Sequence, residues 1–276
     1  MATNIVKEKN LAMRVADIGP LPKRMLAPIE GYEKLPLVTL EEAVKPLATI
    51  VPKVERNVYI VKQNCKKPAD GLTTDESASI MLYTYESMPY EDSLYVKLNQ
   101  ALRSEQRKNL IPWFLYLRLI LTALFRLPSE CCPVFRGVKE SLWFEYTEGK
   151  KFIWWGFSSC TLNVGVLKNE QFLGKQGKRT LFQIKCIAAK NIKEHSFIPS
   201  EDEMLLLPAR QFKVKACLDM GHELHMVQLE ELKPPYDLLE PVPIPTPSIK
   251  PAGGLTKTLS KINLQPSVVL ASESSY

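Results

Sequence analysis

Residues 199–208 read PSEDEMLLLP and place three acids directly before an apolar run. A short apolar run of this kind is typical of a buried β-strand. If the stretch is extended, Glu201 and Glu203 point to one side and Asp202 points to the other. Their Cα atoms would lie roughly 7 Å apart at about 3.4 Å per residue, similar to the paired carboxylates that act on a glycosidic bond. From this stretch alone, a solvated acidic turn before a strand is the more common explanation of the pattern.

The composition is that of a globular protein with one sizeable core. The chain has 276 residues, of which 45% are hydrophobic and 24% are charged. Its formal net charge of +6 is spread along the chain, which argues against a nucleic-acid partner and is compatible with a small phosphorylated ligand. The six cysteines show neither CxxC spacing nor the density of a disulfide scaffold, which favours reduced thiols in a cytoplasmic protein.

Two features of the sequence argue against export and membrane insertion. The N-terminal residues contain no apolar core of a signal peptide. The longest apolar stretch, residues 110–125, is interrupted by Arg118, so we interpret it as a core helix. The sequence therefore predicts a cytoplasmic protein without a membrane span.

Helical patterns precede strand patterns along the chain. Residues 1–70 mix Pro, Lys and short apolar clusters without sustained periodicity, which predicts an N-terminal arm or irregular cap. Thr73 and Glu76 have capping-box spacing, which predicts the start of a helix. Leucines four residues apart and a first-turn Pro112 predict two more. The three predicted helices cover about residues 73–85, 89–102 and 112–125.

From residue 133 the chain consists of short apolar and aromatic stretches separated by turn-forming segments. Helices followed by strands predict an α+β domain over residues 71–233. Residues 234–276 begin with a run rich in proline, which predicts a disordered or polyproline tail. The predicted strand segments are residues 133–139, 151–161, 179–192, 203–218 and 225–232.

The sequence does not contain the motifs of several common kinds of cofactor binding and catalysis. No GxGxxG follows a strand, which argues against a Rossmann fold, and residues 174–179 lack the spacing of a P-loop. His222 and His225 are not completed by a cysteine pair, so no metal site is predicted. No GxSxG presents a serine nucleophile to the three histidines.

Two further stretches contain residues that suit a phosphorylated ligand. Arg136 can bind phosphate with two nitrogens, and Gly137 leaves the backbone open to a ligand. Residues 157–161, FSSCT, follow two tryptophans and end in a cluster of hydroxyl groups. An arginine in a strand is also typical of a surface ion pair, and aromatic residues in a strand are also typical of a core.

Together these three stretches resemble the arginine-specific mono-ADP-ribosyltransferases. That family is marked by an arginine, a Ser-Thr-Ser-type strand and a Glu-x-Glu motif, which FRG (135–137), FSSCT (157–161) and EDEMLLLP (201–208) resemble in the same order. The resemblance covers about residues 75–232. It departs from the family at Cys160, where the middle hydroxyl is replaced by a thiol.

The resemblance implies a fold and an activity. The implied fold is α+β, with N-terminal helices followed by two packed, mostly antiparallel β-sheets that form an NAD cleft. The implied reaction transfers ADP-ribose from NAD, as substrate, to an arginine of a protein acceptor. An NAD glycohydrolase, in which water is the acceptor, and a catalytically silent interaction module are the alternatives.

The resemblance also implies roles for individual residues. Arg136 would bind the NAD phosphates and ribose, and the backbone of Gly137 would reach the nicotinamide amide. Ser159 would support its strand and the catalytic Glu203, which would bond the ribose 2′-hydroxyl. Glu201 would orient the acceptor guanidinium.

Two other features are assigned in the same way. Residues 193–200 would form the loop that meets the protein acceptor. Phe172 is a further candidate for the nicotinamide-binding site, although core packing is the more common role of such a residue.

Overall fold

Helices precede the sheet along the chain, as the sequence predicts. The computed structural model describes residue 14 and residues 17–168 and 172–243. Its last three helices confirm the three that the sequence predicts. Over the described residues the α-helices are α1 (Leu40–Val44), α2 (Val54–Asn64), α3 (Thr74–Thr84), α4 (Leu94–Arg103) and α5 (Phe114–Arg126).

Helix α3 is the buried centre of the helical layer. Its capping box is formed, with the Thr73 hydroxyl accepting from the Glu76 N–H at 3.2 Å and the Glu76 carboxylate accepting from the Thr73 N–H at 2.7 Å. The helix packs against α2 and α5. It ends where Tyr85 turns to an extended conformation, which leaves the last carbonyl groups free for other partners.

Residues 40–64 of the predicted N-terminal arm are more regular than the sequence predicts, while residues 1–13, 15 and 16 of that arm lie outside the described residues. Residues 40–64 contain α1 and α2, so the prediction of an irregular arm or cap is wrong for this stretch. The prolines at positions 46 and 52 interrupt the pattern and keep α1 to five residues, which hides its periodicity. In α2 the buried residues Val54, Val58 and Val61 recur every three or four positions, but over only eleven residues.

Eight strands follow the helices, and each pairs with its neighbours mostly in antiparallel orientation. The one exception among the described pairs is β4 with β8, which is parallel. The spatial order is β2-β7-β8-β4-β1-β3-β6-β5. The strands are β1 (Pro133–Val138), β2 (Lys151–Trp154), β3 (Ser158–Thr161), β4 (Arg179–Lys185), β5 (Lys190–Asn191), β6 (Glu203–Leu206), β7 (Arg210–Asp219) and β8 (Leu224–Leu232).

The strands form two halves, as the α+β prediction with two packed sheets implies. A five-stranded half ends at β1 and a three-stranded half begins at β3, and the register between them is the single pair Phe135 and Thr161. One buried apolar cluster contains side chains from both halves, such as Phe182 and Val227 from one and Met204 and Leu206 from the other. The two halves therefore pack on each other while remaining joined in one hydrogen-bonded sheet.

A second apolar cluster fills the space between the helices and the three-stranded half. Residues 107–126, which include α5, are long and apolar enough to cross a membrane, but 61% of their most apolar window is buried inside the protein. Arg118 is itself 7% exposed. Within this fold α5 is the core helix that the sequence predicts.

The first residues of the predicted tail pack on the body of the protein. The Ile29 N–H donates to the Leu238 carbonyl at 2.8 Å, and the Glu240 N–H donates to the Ile29 carbonyl at 3.0 Å. Leu238 and Val242 are buried. Residues 234–243 are therefore not a free tail, and the remainder of the predicted tail, residues 244–276, lies outside the described residues.

Candidate active site

Strands β3 and β6 place two predicted site residues on one face of the sheet. Glu203 is the first residue of β6 and pairs in register with Thr161, while Ser159 pairs with Leu205. Registered partners in an antiparallel pair project to the same face. Glu203 and Ser159 are therefore diagonal neighbours, and both are almost completely buried.

A turn, not an extended strand, brings Glu201 to Glu203. Residues 199–201 form a 3-10 turn, and Asp202 adopts a left-handed conformation with φ 47° and ψ 50°. The extended conformation predicted for this stretch is therefore wrong at its first acid. Asp202 nevertheless points to solvent, where its carboxylate pairs with Lys193 at 2.6 Å. The turn tucks Glu201 beside Glu203, and both acids are buried.

The two acids meet at the guanidinium of Arg14. Arg14 Nε donates to Glu203 Oε1 at 3.1 Å, and Nη2 donates to Glu203 Oε2 at 2.9 Å. Nη2 also donates to Glu201 Oε2. Nη1 donates to the carbonyl of Thr84, at the end of α3, at 2.7 Å and lies 3.7 Å from Glu86 Oε1.

Burial and mutual repulsion dominate the electrostatics of these acids. Burial raises the pKa of Glu201 to about 8. The positive charge of Arg14 opposes this increase, whereas the nearby Glu203 and Glu86 add to it. Burial likewise raises the pKa of Glu86 to about 7. Burial alone would lower the pKa of Arg14, but the three carboxylates outweigh it and the pKa is raised.

Arg136 is a buried arginine with unused hydrogen-bond donors. It is 1% exposed, and its Nε and Nη2 have no hydrogen-bond partner among the described residues. Its guanidinium carbon lies 5.7 Å from the ring centroid of Trp154. Burial lowers its pKa. Because buried polar groups are normally satisfied, these free donors indicate a place for an anionic ligand.

Gly137 and Phe172 lie beside a third apolar cluster. A Cβ on Gly137 would lie 3.0 Å from the Cβ of Leu173, so a larger residue would fit here only if Leu173 shifted. Phe172 is 4% exposed and belongs to the cluster with Leu167, Leu173 and Leu181. In this arrangement Gly137 is covered by Leu173, and Phe172 packs as a core residue.

Ser159 lies at the expected place but makes no supporting bond. Its hydroxyl is buried and has no hydrogen-bond partner in the described part of the chain. The support that Ser159 would give to Glu203 is thus not present as a direct hydrogen bond, and both oxygens of Glu203 instead accept from Arg14. One oxygen of Glu201, Oε1, is also buried, with no partner among the residues that the structure describes.

The loop before Glu201 is fastened to α3. His195 Nδ1 lies 2.9 Å from the Ser77 hydroxyl, and its Nε2 lies 3.1 Å from a carboxylate oxygen of Asp70. The Phe197 N–H donates to the Thr84 hydroxyl at 2.8 Å. Ser77 and His195 are buried, so these contacts hold the loop and do not expose a nucleophile.

Two residues of the site are not predicted by any sequence motif. Arg14 lies 187 residues from Glu201, in a stretch without a motif. Glu86 follows the end of a capped helix, and only the fold brings it to the acids. Contacts over such separations depend on the tertiary structure and cannot be inferred from local spacing.

A family model matches most of the chain. Residues 33–234 match the model described as NAD:arginine ADP-ribosyltransferase. The chain is 31% identical over 174 residues to T-cell ecto-ADP-ribosyltransferase 2 of Mus musculus, which covers 62% of this chain and 56% of the relative. It is 32% identical over 151 residues to NAD(P)(+)--arginine ADP-ribosyltransferase 2 of Gallus gallus, which covers 52% and 45%. The chain thus spans about half the length of the curated relatives it matches.

The fold is similar to that of solved ADP-ribosyltransferases. A mutant of the eukaryotic mono-ADP-ribosyltransferase ART2.2 in complex with NAD superposes with a TM-score of 0.50 at 20% identity. The superposition covers 72% of this chain and 85% of that one. This similarity confirms the predicted fold class.

Proposed function

Because the chain belongs to the NAD:arginine ADP-ribosyltransferase family, we propose that it transfers ADP-ribose from NAD to the guanidinium of an arginine in a protein acceptor, releasing nicotinamide. The observation that carries this proposal is the pair of buried acids, Glu201 and Glu203, closed around a guanidinium. A site that binds one guanidinium with two carboxylates is suited to an arginine acceptor. The direct test is release of nicotinamide with and without the small guanidine agmatine.

The polar groups of the site suit NAD as a substrate once the cleft is open. Arg136, Ser159 and Glu201 have buried polar atoms that find no hydrogen-bond partner within the described ranges. Each such atom costs free energy unless a ligand or water satisfies it. The two free donors of Arg136 suit a phosphate group, and the free hydroxyl of Ser159 suits a sugar or amide.

Glu203 is the residue proposed to stabilise the transition state. Cleavage of the bond between nicotinamide and ribose develops positive charge on the ribose ring. A carboxylate fixed at the start of a strand stabilises that charge more in the transition state than in the ground state. Glu203 is held by the register of β6 with β3 and requires little reorganisation when charge develops.

Glu201 is the residue proposed to handle the acceptor. An arginine is protonated in water, so its nitrogen must lose a proton as the new bond to ribose forms. The raised pKa of Glu201 makes this carboxylate a stronger base than an exposed one. Glu201 would orient the guanidinium and accept that proton.

Replacement of Arg136 by Lys is expected to weaken NAD binding. A lysine keeps the charge but cannot offer the planar set of donors that binds phosphate with two nitrogens. Loss of one charge-assisted hydrogen bond, worth about 1.5–3 kcal/mol, corresponds to roughly a tenfold or greater increase in the NAD dissociation constant. Titration calorimetry measures this, with Arg24→Lys as the control because the Arg24 side chain is 71% exposed. If Arg136→Lys binds NAD with unchanged affinity, another residue binds the phosphate groups.

Transfer is expected to increase with pH relative to hydrolysis. Burial holds the pKa of Glu201 at about 8, so at lower pH the group is protonated and cannot accept a proton from the acceptor. The ratio of ADP-ribosyl-agmatine to free ADP-ribose should therefore rise between about pH 6 and about pH 9. Glu201→Gln should give a flat ratio. A wild-type ratio that falls or stays constant over this range would contradict the role of Glu201 as base.

A further inference from the structure

Arg14 lies where the proposed function places the acceptor arginine. Its side chain has no exposed surface and is bound by Glu201 and Glu203 together. The acids that would handle ribose and acceptor are therefore occupied by a guanidinium of the same chain.

The surroundings of Arg14 define a guanidinium-binding subsite. It consists of Glu86, Glu201, Glu203 and the carbonyl of Thr84. Glu86 is 3.7 Å from Arg14 Nη1, and neither of its carboxylate oxygens has a hydrogen-bond partner within the described ranges. The free oxygens of Glu86 add hydrogen-bond acceptors beside the two acids, which suits a guanidinium that enters the site from outside.

Residues 17–22 follow Arg14 into the neighbouring cleft. The carboxylate of Asp17 accepts from Asn99 Nδ2 and from Arg103 Nη2, both at 2.6 Å. A Cβ on Gly19 would lie 2.8 Å from Cδ of Arg103, so this stretch is closely packed against α4. We call Arg14 together with residues 17–22 the strap.

The strap fills the space beside Arg136. Residues 17–22 line a cavity with Arg103, Arg136 and residues 153–158, and its volume is about 20 Å³. That is room for about one water molecule and far too little for a dinucleotide. Ile18 and Leu21 also pack against the apolar cluster between the two halves of the sheet. NAD could reach Arg136 only after the strap has moved.

We propose that Arg14 is an internal competitor of the acceptor arginine, and that the strap keeps the site closed to both NAD and acceptor until it is displaced. This proposal rests on the proposed function for the identity of the two ligands. The subsite of Glu86, Glu201, Glu203 and the Thr84 carbonyl is the part that selects a guanidinium. Glu86 is thereby assigned as a specificity-determining residue for the acceptor.

The covalent connection makes the competition effective. A group tethered by a short segment competes at an effective concentration on the order of millimolar. If a ligand binds only to the open state of the protein, its apparent dissociation constant is its intrinsic dissociation constant divided by the fraction of protein that is open. With the closed state populated at about 90% or more, removal of Arg14 should improve apparent affinity at least roughly tenfold.

The experiment compares the wild-type chain with Arg14→Ala and with Arg24→Ala. Arg24 is the matched control, since its side chain is 71% exposed and pairs with the exposed Glu105. The first readout is agmatine binding by calorimetry without NAD, and the second is nicotinamide release from NAD without an acceptor. Arg14→Ala should strengthen agmatine binding and raise kcat/KM for NAD, each at least roughly tenfold, while Arg24→Ala matches wild type.

A second variant keeps the test valid if Arg14→Ala does not fold. Asp17→Ala leaves the acids untouched and removes the two side-chain contacts, to Asn99 and Arg103, that help to hold the strap on α4, while the bond from Arg103 Nη2 to the Asp17 carbonyl is kept. It should change both readouts in the same direction as Arg14→Ala, by a smaller factor. Circular dichroism and thermal melting establish which variants are folded.

The outcomes separate this inference from the proposed function. If the strap variants bind agmatine more tightly but no protein cleaves NAD, the subsite is supported and the transferase activity is contradicted. NAD cleavage in all folded proteins, with agmatine binding and NAD kinetics equal in wild type and strap variants, would support the enzyme and overturn the internal competitor. A Glu86→Gln change made in the Arg14→Ala background should raise the KM for agmatine and leave that for NAD unchanged. An unchanged KM for agmatine would remove Glu86 from the subsite.

Discussion

Replacement of Glu203 by Gln is expected to reduce nicotinamide release by roughly 10²–10³-fold while NAD binding is retained. The amide keeps the shape of the side chain but removes the charge that stabilises the positive ribose ring in the transition state. Both hydrolysis and transfer pass through this bond cleavage, so both should fall by the same factor. Nicotinamide release measures the chemistry, and the shift in melting temperature produced by NAD measures binding.

The neighbouring acid provides a matched control. Asp202 lies between the two acids, but its side chain is 42% exposed and pairs with Lys193. Exposed ion pairs contribute about 0–1 kcal/mol, and asparagine tolerates the left-handed backbone, so Asp202→Asn should retain wild-type activity. A Glu203→Gln enzyme that releases nicotinamide at the wild-type rate would show that its charge is not used in catalysis.

Replacement of Glu201 by Gln is expected to remove transfer to agmatine, by roughly 100-fold or more, while NAD hydrolysis continues. The acceptor nitrogen needs a carboxylate that orients it and accepts its proton, whereas water can attack the cationic ribose without this residue. The measured quantity is the ratio of ADP-ribosyl-agmatine to free ADP-ribose. Because Glu201 also holds Arg14, the comparison should be repeated in the Arg14→Ala background, where the strap no longer affects the result.

Equal loss of hydrolysis and transfer in Glu201→Gln would contradict this division of roles. It would indicate that the two acids act as one unit on the ribose. If Glu201→Gln retains both hydrolysis and transfer, another group must deprotonate the acceptor.

Local patterns were sufficient for the elements with strong signals. The capping box of Thr73 and Glu76 predicted the start of α3, and the leucines of α4 recur at helical spacing in the structure. The prediction of Glu203 at the start of a buried strand is also confirmed by β6. These features depend on residues close together in the chain, where sequence spacing determines geometry.

Features that depend on distant residues were not predicted. Asp202 adopts a left-handed backbone conformation, which turns Glu201 towards Glu203. A run of acids does not specify this conformation. The hydroxyl of Ser159 makes no bond to Glu203, which instead binds Arg14, a residue far away in the sequence. The helices α1 and α2 are too short to show a clear period, and their stability derives from packing in the core.

The most direct test of the proposed activity is nicotinamide release from NAD by the wild-type and Arg14→Ala proteins, with and without agmatine, with the product identified by mass spectrometry. We expect that agmatine stimulates release, that ADP-ribose is found on the guanidine, and that Arg14→Ala is the faster enzyme. Release indifferent to agmatine in both proteins would make the chain an NAD glycohydrolase. No release from either protein would contradict an enzymatic role and indicate a binding module.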